Sequence, residues 1–132
     1  MSRSGYSEDC DGWALICWRG AVASAIKGKR GQAFLRELLD ALDAMPVKEL
    51  ITGELERDGS YCALGVVGAR RGLDLKAIEA DDPEDVAKHF KIARALVAEI
   101  EFENDEGAWR YDIPPEKHWT RIRRWTAENI KQ

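Results

Sequence analysis

The chain lacks the features of a secreted or membrane-spanning protein. Its 132 residues contain three cysteines, Cys10, Cys17 and Cys62, an odd number without a C-x-x-C pair, so a disulfide framework is not expected. The sequence has no run of about 18 apolar residues, the length that a membrane span requires, and its first residues do not resemble a signal peptide. These absences predict a cytoplasmic protein without membrane contact, whose cysteines are all reduced.

Familiar catalytic and cofactor motifs are also missing. The sequence contains no H-E-x-x-H, G-x-S-x-G or G-x-G-x-x-G pattern. The segment 28–31, Gly-Lys-Arg-Gly, lacks the residue order of a phosphate-binding loop, and no predicted strand precedes it. We therefore expect no enzymatic activity and no bound cofactor or metal. A small hydrolase or nuclease with an unrecognised site stays open as an alternative.

Cys62 is the candidate nucleophile of this sequence. It precedes an Ala-Leu-Gly turn into a predicted helix, where a thiol can have a lowered pKa. A catalytic pair would need His89 or His118 within hydrogen-bonding distance, and the sequence places neither beside it. Because cysteine is among the most buried residue types, we interpret Cys62 as a core residue.

The composition is that of a folded domain. Hydrophobic residues make up 45% of the chain and include five tryptophans, which is ample material for a core. The length is that of one domain. We therefore predict a single helical domain that spans residues 1–132.

Hydrophobic spacing predicts a compact, mostly α fold of about five helices with one short β-hairpin. The hairpin strands, 54–57 and 60–63, flank Asp58-Gly59, a strong two-residue turn signal. Asp82 has the residue type of a helix N-cap, and Pro83 that of a first helical position. Helical spacing or helix-terminating residues delimit the segments 9–26, 32–45, 64–71, 82–90, 92–102 and 114–130.

Charge is distributed unevenly along the chain. The net charge of −4 gives no global attraction to nucleic acid or to anionic lipid. Residues 79–106 carry ten acidic and three basic side chains, whereas residues 107–132 carry six basic and three acidic ones. These two segments supply the candidate partner surface, formed by Glu99, Glu101, Glu103, Asp105, Glu106, Lys117, Arg121, Arg123 and Arg124.

Each half of this candidate surface also has a simpler interpretation. The acidic run does not have the spacing of a calcium loop and is typical of a solvated helix end. Trp119 shares a predicted inward stripe with Ile122 and Thr126, which indicates a core anchor and not a platform for a nucleic-acid base. The arginines of the last helix are then available to pair with the acidic segment inside the monomer.

Several short motifs follow one another in a distinctive order. They are Gly5-Tyr6-Ser7, Trp18-Arg19-Gly20, Arg30-Gly-Gln-Ala-Phe-Leu-Arg-Glu-Leu-Leu39, Ala41-Leu-Asp-Ala-Met-Pro46, Asp58-Gly59, Cys62-Ala-Leu-Gly65, Asn104-Asp-Glu106 and Trp119-x-x-x-Arg123-x-Trp125. This layout covers most of the chain and resembles a family of small accessory proteins of tailed phages and prophages. The family has no established activity, so the resemblance implies a setting, the cytoplasm of a bacterial host, and no catalytic residue.

The sequence thus favours an interaction protein. We expect stoichiometric binding to a host protein or protein complex, with inhibition of a defence system, in the manner of an anti-CRISPR protein, as one form. A nucleic-acid-binding module that uses the C-terminal basic helix is the alternative, with Lys117, His118 and the arginines on phosphates and a tryptophan on a base.

Overall fold

The structure, a computed structural model, describes residues 12–105 and 114–131, with side chains from Cys17 onward. The expectations for Cys10 and Glu106 lie outside these residues. Along the chain, the secondary-structure elements are helix α1, helix α2, a hairpin of strands β1 and β2, and helices α3 to α6. The bounds are Gly12–Lys27 (α1), Lys29–Asp43 (α2), Glu56–Arg57 (β1), Ser60–Tyr61 (β2), Ala63–Arg71 (α3), Pro83–Phe90 (α4), Arg94–Asp105 (α5) and Pro115–Asn129 (α6).

The predicted fold class is confirmed. The described residues form six α-helices and a two-stranded antiparallel hairpin, in which Glu56 pairs with Tyr61 and Arg57 with Ser60. The hairpin is shorter than predicted, and a 3-10 turn at Leu75–Ala77 was not predicted. No helix in the described part of the chain is long and apolar enough to cross a membrane.

The first two helices meet at a glycine. A Cβ atom on Gly31 would lie 1.8 Å from the carbonyl oxygen of Ala25, so only glycine allows this close approach of the backbones. Helix α2 begins at Lys29, three residues earlier than predicted, because a single residue, Gly28, suffices to separate it from α1. The chain can therefore turn sharply and still continue as helix.

Local capping explains how α3 and α4 begin and end. The Cys62 sulfur accepts a hydrogen bond from the Gly65 N–H at the start of α3, and Gly72, with a φ of 77°, ends that helix in the left-handed conformation. Asp82 caps α4 by accepting hydrogen bonds from the N–H groups of the first turn. Lys91, at a φ of 59°, ends α4. The predicted cap role of Asp82 is thus confirmed.

Helix α5 runs further than the sequence predicts. The pattern at Asn104-Asp105 indicates a chain break, but α5 includes both residues. The Asn104 side chain bonds to Ala63 and Ile51 in other parts of the fold, so it does not compete for the backbone of its own helix. The prediction was wrong because the partners of Asn104 are distant in sequence.

The core lies where α2, α3, α4 and α5 meet, with α6 closing one side. Phe34 of α2 and Phe90 of α4 pack edge to face with their ring centroids 6.2 Å apart. In the segment 32–45, predicted as a helix, Phe34, Leu35, Leu38 and Leu42 are buried. Leu39 and Met45 are half-buried, and Met45 lies beyond the end of α2. The fully buried large apolar side chains include Phe90, Leu35, Leu38, Leu42, Leu50, Leu64, Leu96, Ile100 and Ile122.

Candidate functional site

The predicted acidic residues of α5 face the protein more than the solvent. Glu101 is 0% exposed, and Glu99 and Glu103 are half-buried. Asp105 Oδ1 accepts hydrogen bonds from the Gly53 N–H and from the Asn104 amide. The interpretation of residues 99–105 as a solvated face therefore does not describe their environment.

Glu103 forms an ion pair with Arg121 of α6. The Arg121 guanidinium donates to the Glu103 carboxylate at 2.7 Å and to the Glu103 carbonyl oxygen at 2.6 Å. Burial raises the pKa of Glu103 above its ordinary value, and the Arg121 charge opposes this only in part. Removal of the carboxylate from water thus outweighs its attraction to the arginine.

The other predicted basic residues of α6 divide into two groups. Arg123 makes two hydrogen bonds to the Asp43 carboxylate of α2, at 2.6 and 3.1 Å, which lower the pKa of Asp43. Lys117 and Arg124 are exposed and make no ion pair with the described residues. Internal pairing thus occupies Arg121 and Arg123, although the partner of Arg123 lies on α2 and not in the acidic segment.

Trp119 anchors α6 against α2. Its indole Nε1 donates to the Leu42 carbonyl oxygen at 3.1 Å, and Lys48 Nζ lies 5.1 Å from the ring centroid. Trp125 is half-buried and packs on the core. These contacts agree with the core-anchor interpretation of Trp119 and leave its ring poorly placed to stack on a nucleic-acid base.

Cys62 and Asn104 form a structural joint. The Asn104 side-chain oxygen accepts from the Ala63 N–H at 3.1 Å, and its amide donates to the Ile51 carbonyl oxygen at 2.9 Å. The neighbouring Cys62 is 1% exposed. Gly65 lets α3 approach the Leu55 carbonyl, where a Cβ would lie 1.9 Å from the oxygen. The motifs Cys62-Ala-Leu-Gly65 and Asn104-Asp105 thus fix α3, α5 and the hairpin together, and burial shields the Cys62 thiol from a substrate.

Gln32 is a second joint. Its amide nitrogen donates to the carbonyl oxygens of Ile26 and Asn129, and its oxygen accepts from the Lys131 N–H. The side chain is buried and connects the ends of α1 and α6 to α2. Two of the sequence motifs, at 30–39 and at 62–65, thus contain residues with clear folding roles.

A basic groove lies where the start of α2 meets the ends of α3 and α4. It has a volume of about 380 Å³ and is open to solvent. The start of α2, the end of α3 and the end of α4 with the following residues contribute its walls. Its lining contains no carboxylate and four basic side chains, which are Arg30, Arg71, His89 and Lys91.

Arg71 is the fixed member of this set. Its guanidinium donates to both oxygens of Glu37, with Nε at 2.8 Å, and to the Phe90 carbonyl oxygen at 3.0 Å. Its guanidinium carbon also lies 5.5 Å from the Phe34 ring centroid and 5.8 Å from that of Phe90. The hydrogen bonds from Arg71 lower the pKa of Glu37. Glu37 therefore neutralises Arg71, which serves as a rigid wall.

Arg30 and Lys91 are the available cations of the groove. Both are exposed, and neither makes a hydrogen bond or ion pair through its side chain with the described residues. His89 Nδ1 lies 2.9 Å from the Asp85 carbonyl oxygen and 3.6 Å from the Asp85 carboxylate. The arrangement can attract and hold an anionic group.

Sequence reasoning did not find this groove. It placed Arg30 in a rejected phosphate-loop pattern and assigned no functional role to the ends of α3 and α4. One local signal was present, since Lys29 and Arg30 occupy the first turn of α2, where positive charge is unfavourable next to the helix dipole.

In residues 12–105 and 114–131, no group of three or more acidic, histidine or cysteine side chains is arranged to hold a metal ion.

Comparison with known proteins found no relative of this chain. No protein-family model matches the chain, and no curated protein or solved structure gives a significant match.

Proposed function

We propose that this chain is a binding protein that acts stoichiometrically on an acidic surface of a host protein, with the basic groove as its contact site. The observation that carries the proposal is that Arg30 and Lys91, two exposed cations without an ion-pair partner among the described residues, line the same groove. The other two basic residues of the lining, Arg71 and His89, lie beside the carboxylates of Glu37 and Asp85. Arg30 and Lys91 keep their charge available, whereas Arg121 and Arg123 of the predicted surface are paired internally.

The position of Arg30 supports a role outside folding. A cation in the first turn of a helix opposes the dipole and costs roughly 0.3–1 kcal/mol at an exposed site. Neither Arg30 nor Lys29 recovers this cost through a described ion pair. Local rules of sequence are most often broken at functional sites, so the unfavourable charge points to a partner.

A protein partner fits the described surface better than nucleic acid does. Binding to single strands usually combines a basic track with exposed aromatic rings. In the described residues, the exposed large hydrophobic side chain is Val47, and the tryptophans are half-buried. The groove supplies two cations without a described ion-pair partner, Arg30 and Lys91, in a chain of net charge −4. The family resemblance supports a bacterial partner, with a defence complex as one form.

The test compares two variants of equal charge. Arg30→Glu with Lys91→Glu reverses the free cations of the groove, and Lys117→Glu with Arg124→Glu reverses the exposed cations of α6. Each tagged protein is incubated with nuclease-treated bacterial lysate, and the captured proteins are quantified by mass spectrometry. We expect a partner that the wild type and the α6 variant retain in equal amounts and the groove variant loses.

Two outcomes would contradict this proposal. Equal capture by all three proteins would remove the groove from the contact site, and loss of capture by the α6 variant alone would move the site to α6. Thermal melting serves as the folding control. Because a glutamate in the first turn of α2 suits the helix dipole, Arg30→Glu should not lower the melting temperature.

A further inference from the structure

We infer that the groove binds a short peptide segment in which an aliphatic side chain lies beside carboxylates. This inference rests on the proposed function and names the chemistry of the partner. It follows from the apolar floor of the groove, which an acidic surface alone would leave unused.

The floor of the groove is apolar and continues the core. Ala33 is exposed and Leu73 is half-buried, so these two side chains are its solvent-accessible part. Phe90 and Ile92 also line the groove but are buried in the core cluster, which supports the floor from within. An apolar side chain that displaces water from Ala33 and Leu73 is stabilised by that burial.

The rim is suited to carboxylates. Arg30 has a planar guanidinium that can donate two parallel hydrogen bonds to one carboxylate, and Lys91 offers a mobile point charge. Arg71 is already satisfied by Glu37 and holds the wall between floor and rim. The two free cations of the rim can thus bind an acidic residue of a peptide, while the apolar floor contacts an aliphatic residue next to it.

The shape of the groove limits its occupant. A volume of about 380 Å³ is near the lower end for ligand sites, and the groove is open. An inorganic anion would meet the cations but leave the floor in contact with water. A nucleotide base would find no exposed ring on the floor, because Phe90 is fully buried. A peptide segment uses both parts of the groove.

The experiment uses the full chain and four probes. The first is the peptide acetyl-Ser-Glu-Leu-Asp-Leu-Glu-Ser-amide. The second has serine in place of both leucines, the third has Gln and Asn in place of the acids, and the fourth is inorganic phosphate. Binding is followed by amide chemical shifts in two-dimensional NMR, which also locates the contact.

We expect the first peptide to shift the amide signals of Ala33, Leu73 and Ile92. Its affinity should fall about tenfold or more in the Arg30→Glu, Lys91→Glu variant, because each lost charge contact affects binding. The Lys117→Glu, Arg124→Glu variant should bind like the wild type. Both altered peptides should bind more weakly than the first, and added salt should weaken the first peptide.

Three results would overturn the inference. The first is equal affinity for the peptide without leucine, and the second is displacement of the first peptide by phosphate at comparable concentration. The third is a wild-type dimer, seen by light scattering, that dissociates in the groove variant, since a second copy would then occupy the groove. If the peptide does not bind while lysate capture still requires Arg30 and Lys91, the peptide chemistry is wrong and the proposed function stands.

Discussion

Individual side chains differ sharply in how much the fold depends on them. Leu38 and Leu42 are both 0% exposed, in the middle of the face that α2 turns to the core. Leu39, one residue away from Leu38, is half-buried. The same side chain on one helix is thus fully buried at two positions and half-buried at a third, so Leu39 can serve as a control for Leu38 and Leu42.

Replacement of Leu38 or Leu42 by alanine should lower the free energy of unfolding by about 2–5 kcal/mol, through lost burial and the cavity left behind. Chemical denaturation measures this loss. Leu39→Ala is the control and should cost less than either change. A loss at Leu38 no larger than that at Leu39 would contradict the packing of α2.

Asn104 joins parts of the chain that are distant in sequence. It joins α5 to the first turn of α3 and to the Ile51 carbonyl. Asn104→Ala should lower the free energy of unfolding by about 1–3 kcal/mol, because it leaves buried backbone groups unsatisfied. Asn129→Ala is the control, since the Asn129 side chain donates within its own helix to Trp125. Equal losses in both variants, by chemical denaturation, would argue against the joint.

Between helices, the contact of α5 with α6 contains groups whose ionisation opposes folding. Burial raises the pKa of Glu103 and lowers that of His118. Both shifts reflect the cost of a charge away from water, so both groups prefer to be neutral in the folded protein. Arg121 lies between these effects, since it stabilises the Glu103 carboxylate and disfavours a charged His118.

Loss of Arg121 should therefore matter most where Glu103 is ionised. A folded pKa above the unfolded value contributes stability below the unfolded pKa, and this is lost as pH rises through the folded pKa. Arg121→Leu enlarges the shift, so its deficit in unfolding free energy should grow from pH 4 to pH 7. Adding Glu103→Gln should recover most of the deficit at pH 7. A deficit independent of pH would show that Arg121 acts through packing alone.

His118 should give the opposite dependence. Its folded pKa lies below the ordinary value of 6.5, chiefly because of burial, with Arg121 adding to the shift and Asp105 opposing it. Its contribution is present above the unfolded pKa and is lost as pH falls through the folded pKa. The free energy of unfolding of the wild type, measured relative to that of His118→Gln by chemical denaturation, should thus fall from pH 7 to pH 5. Comparison with the variant separates this effect from that of Glu103, which has the opposite sign. A difference that does not change with pH would contradict the role of His118.

Over the whole molecule, internal pairing decides which cations are available. The arginines that dominate the C-terminal segment are divided between Glu103, Asp43 and solvent. Arg30 and Arg71 come from residues 1–78, where basic and acidic side chains are equal in number, and Lys91 comes from the acidic segment 79–106. A count of charge along the chain therefore points to one end of the molecule, and the folded surface offers another.

We expect no steep, salt-dependent binding of mixed-sequence DNA. The net charge is −4, and Arg121 and Arg123 are engaged in ion pairs. Fluorescence anisotropy with a labelled duplex at low and moderate salt measures this. Strong binding that disappears in the Lys117→Glu, Arg124→Glu variant would favour the nucleic-acid alternative, and binding lost only in the groove variant would make DNA the occupant of the groove.

Much of the fold follows from local patterns. The apolar stripe of α2, the turn at Asp58-Gly59 and the cap at Asp82 each depend on neighbours within a few residues, and each appears in the structure. Helix α5 was misjudged because the partners of Asn104 lie about 40 to 50 residues away along the chain. Side-chain identity near a helix end shows a capacity for hydrogen bonding and does not show with which group.

The candidate site, in contrast, depends on contacts between residues that are distant in sequence. Arg30, Arg71 and Lys91 each stand at a helix end, where charged residues are common and their neighbours along the chain explain little. The packing of the core, in which Phe34 of α2 contacts Phe90 of α4, brings those ends to one groove. The ion pair with Glu37 distinguishes the fixed Arg71 from the available Arg30 and Lys91. Sequence spacing governs contacts within a turn or two of helix, whereas the electrostatics of a surface depends on which distant charges the core brings together.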